Sequence, residues 1–221
     1  MEKRGPKPLG NIDTTWRPEL AYCVGLLASD GCLINDGRHI DITSADRSQI
    51  ENFKKALRIT HIKTGLKTSG STKRKKYYRA QFGDILFYEW LLQIGLTPNK
   101  SKTLGKLKIP DEFFFDFFRG CFDGDGSVYS FWDKRWRSSY VYWICIASAS
   151  PPFLDWIQES VFRIAKIDSF IRKSVHANEL RFAKNATRKL ASYMYKDKNA
   201  FYLDRKFAKL HKILKIDERN T

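Results

Sequence analysis

Two aspartates are the residues whose type and spacing best support chemistry in this 221-residue sequence. Asp30 ends the apolar segment CVGLLASDG, and Asp125 ends the similar segment FRGCFDGDG in the second half of the chain. Each segment predicts a helix that stops at an Asp-Gly pair. Helix C-termini carry partial negative charge and like charges repel, and a divalent cation would resolve this conflict between two carboxylates brought together there. The carbonyl oxygens of Ser29 and Gly124 would add hard ligands suited to Mg²⁺.

Such a site predicts phosphodiester hydrolysis, because metal ions held by carboxylates can activate water and stabilise the leaving oxygen. The two segments also share a glycine at matching places, Gly25 and Gly120. A glycine inside a helix costs about 1 kcal/mol relative to alanine, so its repetition predicts two helices in close contact. We expect that contact to form through Ala21, Gly25 and Ala28 on one helix and Gly120 and Gly124 on the other.

The charge balance predicts a polyanionic partner. The chain has 40 Lys and Arg against 24 Asp and Glu, a formal net charge of +16. Nucleic acid fits best because neutralising phosphates releases condensed counterions, and a generally basic surface is the alternative. The apolar runs are shorter than the roughly 20 residues of a membrane span, and MEKRGPKPLGN has no apolar signal core, which predicts a soluble intracellular protein. The four cysteines lack metal-ligand spacing.

The elements that must position the aspartates are predicted in the same order twice. Residues 18–96 favour a helix, a hairpin, a helix, a hairpin and a helix, and residues 111–198 repeat that order with a longer first hairpin. The polar, proline-bounded residues 97–110 predict a linker, and residues 199–221 predict a basic tail or helix. The Pro- and Gly-rich residues 1–17 predict an extended basic arm, with a DNA minor groove and plain solvent as alternative surroundings.

These two motifs, each opening a repeat of the same order, resemble the paired LAGLIDADG motifs of single-chain homing endonucleases. The resemblance extends from about residue 18 to about residue 210. It implies an α+β fold of two pseudo-symmetric αββαββα repeats, with a saddle of antiparallel sheets in the DNA major groove and the LAGLIDADG helices at the repeat interface. It also implies a monomer that cuts double-stranded DNA at a long, imperfectly symmetric site.

Carried over residue by residue, the resemblance implies that Asp30 and Asp125 bind the metal. The family's active-site basic residue matches Lys100 in GLTPNKSKT and Lys206 in FYLDRKF. Each would stabilise charge or position water near a scissile phosphate, and an ordinary surface lysine is the alternative. Mg²⁺ or Mn²⁺ is the implied cofactor, with Ca²⁺ expected to bind without supporting efficient cleavage.

The sequence departs from the family pattern in two places. Ala28 replaces the first acidic residue of the motif, whereas Asp123 keeps it in the second copy. Ser44 and Ser148 stand where a polar, water-organising side chain such as Gln is common. The departures put the solvent network in question rather than the activity.

Strands that bury Ile40 and Ile42 must turn the alternate residues to the opposite face, which is expected to meet DNA. Each candidate could read guanine or grip phosphate, and a solvated charge is the alternative. The candidates are His39, Asp41, Thr43, Lys63, Lys67, Arg74, Lys76, Tyr78, Arg135, Arg137, Arg172, Lys173 and Arg181. The aromatic residues between Trp132 and Trp143 are expected to pack across the hairpin rather than to stack single-stranded bases.

A binding protein of the same fold is the second hypothesis, either an RNA maturase that contacts intron RNA or a DNA-binding regulator that does not cut. Both acids and both lysines are present, which favours cleavage, and the absence of a flanking splicing-domain signature favours an intron-encoded protein. A basic RNA-binding domain is a third hypothesis. It would explain the charge but not the repeated helix that ends in Asp-Gly.

Overall fold

The computed structural model describes residues 10–68, 76–136, 139–175 and 177–219. The predicted order αββαββα is confirmed in both halves. The first repeat has the elements α1 Pro18–Ser29, β1 Gly31–Leu33, β2 His39–Ser44, α2 Arg47–Ala56, β3 Gly65–Thr68, β4 Lys76–Gly83 and α3 Ile85–Gln93. The second has α4 Phe114–Asp125, β5 Gly126–Trp132, β6 Tyr140–Ser148, α5 Pro151–Ala165, β7 Phe170–Arg172, β8 Asn178–Phe182 and α6 Lys184–Met194. A further helix, α7, spans Asp204–Glu218.

The two motif helices form the centre of the hydrophobic core. α1 begins with Pro18, whose fixed φ suits the first helical position, and every residue from Leu20 to Ala28 is buried. α4 is buried from Phe117 to Asp123. A helix whose middle is buried on all sides lies inside a protein, so α1 and α4 pack against each other rather than against solvent.

Each repeat contributes one four-stranded antiparallel sheet, and the two sheets have equivalent strand orders, β1-β2-β4-β3 and β5-β6-β8-β7. In sheet 1, Ile40 pairs with Phe82 and Ile42 with Ala80, and all four are buried. These residues define the helix-packed face. The opposite face of each sheet, called the open face below, carries the alternate residues.

Residues 10–17 and the linker 97–110 both pack against the core, although their polar composition predicts an extended arm and a linker. The Asn11 N–H donates to Asp84, Ile12 is buried, and the rings of Trp16 and Trp90 lie 5.1 Å apart, so residues 10–17 pack on α3. Residues 1–9 of the predicted arm lie outside the described residues. In the linker, Leu104 and Leu107 are buried, which anchors it to the core. No helix in the described part of the chain is long and apolar enough to span a membrane.

Candidate functional site

The two motif helices cross at Gly25 and Gly120, as their repetition predicts. A Cβ atom added to Gly25 would lie 2.1 Å from the Phe117 carbonyl oxygen, and one added to Gly120 would lie 2.1 Å from the Tyr22 carbonyl oxygen. Further along, a Cβ atom on Gly124 would lie 2.0 Å from Ser29 Oγ and 3.3 Å from Asp30 Oδ2. The crossing therefore brings the C-terminal ends of both helices together.

The two aspartates meet at this crossing in an electrostatically unfavourable pair. Asp30 is half-buried, and burial raises the pKa of its carboxyl although Gln49 and the two site lysines oppose the shift. The Asp125 side chain reaches solvent but is enclosed by protein on several sides. Desolvation by the surrounding protein and, to a smaller extent, the negative charge of Asp30 raise the pKa of Asp125 to about 6. An additional positive charge between them would relieve this repulsion.

Lys100 approaches the pair from the first repeat. Asn99 adopts a left-handed conformation (φ 55°), which asparagine tolerates well, and Lys100 then begins a short 3-10 turn. The Lys100 ammonium is buried and donates to the Gly31 carbonyl oxygen. Burial lowers the pKa of Lys100, while Asp30 and Asp125 are among the charges that oppose the shift. The segment is fixed from the other repeat, because Ser150 Oγ donates to the Leu104 carbonyl oxygen at 2.6 Å.

Lys206 approaches from the second repeat, in the first turn of α7. Its ammonium donates to the carbonyl oxygens of Phe122, Asp123 and Gly124 at 2.7, 2.8 and 2.9 Å. Burial lowers the pKa of Lys206 to about 8, against the attraction of Asp123, Asp30 and Asp125. The Gly124 carbonyl is thus engaged, in contrast to the free oxygen expected from the sequence.

Asp123 explains how α7 is positioned. Its Oδ2 atom accepts the Tyr22 hydroxyl at 2.9 Å and the Leu203 N–H at 2.8 Å, and the side chain is fully buried. Leu203 immediately precedes α7, so Asp123 places the helix that carries Lys206. Ala28 occupies the corresponding place in the first repeat and makes no such contact.

Gln49 is a site residue that the sequence analysis missed. It is buried on α2, and its Nε2 atom donates to Asp30 Oδ2 at 2.7 Å, while Ser44 Oγ donates to Gln49 Oε1 at 3.0 Å. Ser44, noted only as a departure from the family pattern, therefore acts through Gln49. The equivalent position of the second repeat, five residues after Ser148, is the buried apolar Phe153. The signal was a polar residue beside Ile50 and Phe53 on the packed side of α2.

An open cavity of about 250 Å³ lies beside the pair, lined in part by Ser29, Lys100, Asp125 and Ser148. Its wall therefore contains the lysine of the first repeat, Lys100, and the aspartate of the second, Asp125. A water molecule occupies roughly 30 Å³ in the liquid, so this volume accommodates a phosphate group together with several waters.

The donor set fits a hard divalent cation that keeps most of its ligands outside the protein. Within the described residues, no group of three or more His, Cys, Asp or Glu side chains could enclose a metal. Two carboxylates with repelling charges, beside an open cavity, suit Mg²⁺, which prefers oxygen ligands and retains several from water or phosphate.

The open face of sheet 1 holds several predicted DNA contacts and adds one that was missed. His39, Asp41 and Thr43 lie on it, as alternation with Ile40 and Ile42 predicts. Asp41 is buried, however, because Arg79 Nη2 lies 2.6 Å from its Oδ2 atom, with Lys67 Nζ at 3.9 Å. Arg79 was not predicted, although its place before the buried Ala80 would have assigned it to this face.

The other candidates are distributed differently. The register places Tyr78 opposite Ser44 and on the face of Ala80, so Tyr78 packs on the core side, and Lys76 shares that face. Both residues were predicted on the open face. The alternation of side chains along β4 is shifted by one residue from the one expected, which places them on the opposite face. Arg172 and Arg181 lie on the open face of sheet 2. Three of the candidates are exposed outside the strands, namely Lys63, Arg135 and Lys173. Arg74 and Arg137 fall outside the described residues.

Comparison with known proteins identifies the fold. No protein-family model matches the sequence, and no curated protein is similar to it in sequence. The homing endonuclease I-WcaI bound to its DNA recognition sequence has a TM-score of 0.63 at 11% identity, over 90% of this chain and 88% of that one. A structure of mesophilic variants of the homing endonuclease I-DmoI has a TM-score of 0.57 at 14% identity, over 88% and 97%.

A third structure, full-length DUF199/WhiA from Thermatoga maritima, has a TM-score of 0.60 at 15% identity. It matches 96% of this chain, which spans 63% of that longer protein. Identities this low establish the fold alone. With its αββαββα repeats, its sheet order and its helix crossing, the chain has the two-repeat LAGLIDADG fold shared by these proteins.

Proposed function

We propose that this chain is a site-specific, divalent-metal-dependent endonuclease that hydrolyses both strands of a DNA duplex bound along the major groove. The observation that carries the proposal is the pair Asp30 and Asp125 at the helix crossing, with a buried lysine from each repeat beside it. We further propose that it acts as an intracellular, intron-encoded monomer, since both halves of the site come from one chain.

The metal would be held by Asp30 and Asp125, with the Ser29 carbonyl and, if Lys206 releases it, the Gly124 carbonyl as further oxygens. When bound, Mg²⁺ or Mn²⁺ would supply an activated water and charge stabilisation at the phosphate. Lys100 and Lys206 would contribute positive charge where the scissile phosphates gain negative charge. Gln49 fixes the orientation of Asp30, and Asp123 fixes the position of Lys206 by holding α7. Because the Lys206 pKa is about 8, its contribution is expected to decline above that pH.

The remaining DNA contacts are proposed for the residues that present polar groups on the open faces, at hairpin tips or, for Lys63, in the loop before β3. Those of the first repeat are His39, Thr43, Lys63, Lys67 and the newly recognised Arg79; those of the second are Arg135, Arg172, Lys173 and Arg181. Asp41 is proposed to orient Arg79, because their carboxylate–guanidinium contact is short and buried. Phosphate contacts of this kind give binding that weakens steeply with salt.

The test is cleavage of a randomised duplex library in Mg²⁺ by the wild type, Asp30→Asn and Asp125→Asn. We expect the wild type to cut a discrete site and each variant to lose at least about a thousandfold in rate, since metal ions contribute several kcal/mol to such reactions. Binding in Ca²⁺ should survive in both variants. Asp155→Asn, an exposed acid on α5, is the matched control and should cut normally.

A binding protein without cleavage is the second candidate. One observation favours it: each lysine already donates to backbone carbonyls and Asp30 already accepts from Gln49, so the site satisfies many of its own polar groups. The fold is also shared by full-length WhiA and does not itself decide for cleavage. Salt-sensitive DNA binding by a wild type that never cuts would establish this alternative, and preferential binding of intron RNA would indicate a maturase.

A further inference from the structure

The open faces of the two sheets carry different chemistry. Sheet 1 presents hydrogen-bonding groups, among them His39, Thr43 and Arg79. Sheet 2 presents aromatic rings: Tyr129, Phe131 and Phe170 are 45%, 48% and 53% exposed on this face. Large aromatic side chains exposed together on one face mark a contact surface rather than core packing.

A row of stacked side chains crosses the open face of sheet 2. Lys209 Nζ lies 5.8 Å from the Tyr129 ring centre, the rings of Tyr129 and Trp143 stack at 5.4 Å, and Arg181 Cζ lies 5.0 Å from the Trp143 ring centre. Since β6 lies between β5 and β8, Tyr129 and Arg181 flank Trp143 from opposite sides. Both ring faces of Tyr129 and of Trp143 are therefore covered by neighbours, so these two rings offer only their edges, whereas Phe131 and Phe170 remain exposed.

Two polar side chains of this face, Arg181 and Glu179, are paired with each other. Arg181 donates to Glu179 Oε2 through Nε at 2.8 Å and through Nη2 at 2.6 Å, in the same way that Arg79 is paired with Asp41 on sheet 1. The two open faces therefore differ in their exposed aromatic rings rather than in these ion pairs. Base stacking needs a free ring face, which Tyr129 and Trp143 lack. The apolar feature of a duplex major groove is the C5 methyl group of thymine, which side chains contact without hydrogen bonds.

We propose that the open face of sheet 2 reads its half of the DNA target through thymine methyl groups, whereas sheet 1 reads the other half through hydrogen bonds. Lys209, Arg172 and Lys173 supply positive charge beside the aromatic surface for the flanking phosphates. The proposal rests on the duplex binding proposed above but not on cleavage, because it concerns recognition alone.

The experiment replaces thymine by deoxyuridine, which removes only the methyl group, in one half of the selected target at a time. Affinity is measured in Ca²⁺ for the wild type, for Phe131→Gln, and for Leu66→Gln as a matched control. Leu66 is 62% exposed but lies on the other face of sheet 1. Burying one methyl group is expected to change affinity roughly fourfold, so deoxyuridine in one half should weaken binding by about that factor per contacted thymine.

The proposal holds if the deoxyuridine effect is confined to one half, disappears in Phe131→Gln and persists in Leu66→Gln. Equal binding of thymine and deoxyuridine targets by a protein that still binds and cuts overturns it while the proposed function stands. A full deoxyuridine effect without cutting supports it while the nuclease proposal falls. Tighter binding of single-stranded than of duplex target, lost in Phe131→Gln, overturns it in favour of a stacking surface, and failure to bind any duplex overturns both.

Discussion

The two halves of the site are equivalent in sequence position but not in environment. Asp30 accepts a hydrogen bond from Gln49, whereas no side-chain hydrogen bond reaches Asp125 within the described residues. The reverse holds for the neighbouring position, since Asp123 is an anchored acid and its counterpart is Ala28. The first repeat thus orients its carboxylate through the Gln49 side chain, and the second uses Asp123 to position its own lysine, Lys206.

Pseudo-symmetry constrains the helix crossing more than the groups around it. The crossing requires glycine in both helices because backbone atoms meet there. The surrounding groups only have to satisfy the charges, and the two repeats achieve this in different ways. The two halves should therefore respond unequally to equivalent substitutions.

The largest difference between the two halves is expected in the loss of stability when each lysine is replaced. Lys206→Met removes the ammonium that donates to three carbonyl oxygens at the end of α4. The Phe122 carbonyl still accepts from the Gly126 N–H, but the carbonyls of Asp123 and Gly124 lose the Lys206 donor. An unsatisfied buried polar group costs about 1–3 kcal/mol, so the free energy of unfolding should fall by about 2–4 kcal/mol. Lys100→Met removes the donor from Gly31 alone and should cost about 1–2 kcal/mol.

Urea unfolding measures both losses, and Lys212→Met, an exposed residue of α7, is the control. Equal destabilisation by Lys100→Met and Lys206→Met would contradict the claim that the two halves of the site respond unequally. Both variants should also cut more slowly, because each removes a positive charge beside the reacting phosphate.

The parts of this structure that could be predicted from sequence are those set by local patterns or by a single close contact. The αββαββα order follows from apolar periodicity, and the crossing follows from Gly25 and Gly120 because a helical glycine is costly without such a contact. Gln49 could not be predicted as an Asp30 partner, since that contact depends on how α2 packs against α1.

Strand register limited the prediction of the DNA face. A shift of one residue moves every side chain to the other face, and Tyr78 and Arg79 are adjacent. The buried Ala80 and Phe82 would have assigned Arg79 to the open face had the alternation been extended through β4. The salt bridge that buries Asp41 could not be foreseen, because it joins residues of different strands.

A smaller effect, on the affinity for a divalent ion, is expected when the Gln49 amide that orients Asp30 is removed. Gln49→Met deprives Asp30 of its hydrogen-bond donor, which should raise the pKa of Asp30 further and weaken its hold on a divalent ion. Loss of a group that orients a metal ligand typically costs 10–100-fold in affinity, and we expect roughly tenfold here because Asp125 is unaffected. Titration of Ca²⁺ into the DNA complex measures it, with the exposed Ser48→Ala as control. An unchanged affinity would show that Gln49 does not orient the ligand.

The smallest effect concerns stability without metal. Because the folded-state pKa of Asp125 is raised to about 6 from 3.8, ionising Asp125 costs stability above about pH 6, and the cost disappears as the pH falls toward about 4. In EDTA at about pH 7.5, Asp125→Asn should therefore stabilise the protein by roughly 1 kcal/mol after allowance for solvent exposure, or about 2–4 °C in Tm.

Asp30→Asn should gain less, because the charged acceptor of Gln49 is lost along with the repulsion. Calorimetry at about pH 7.5 and about pH 5 separates the two cases, since the gain from Asp125→Asn must shrink at the lower pH. A gain that is independent of pH would contradict the raised pKa of Asp125. An equal gain for both variants would mean that Gln49 does not distinguish the two carboxylates. A gain confined to Asp125→Asn would instead identify the second repeat as the half of the site that most needs the ion.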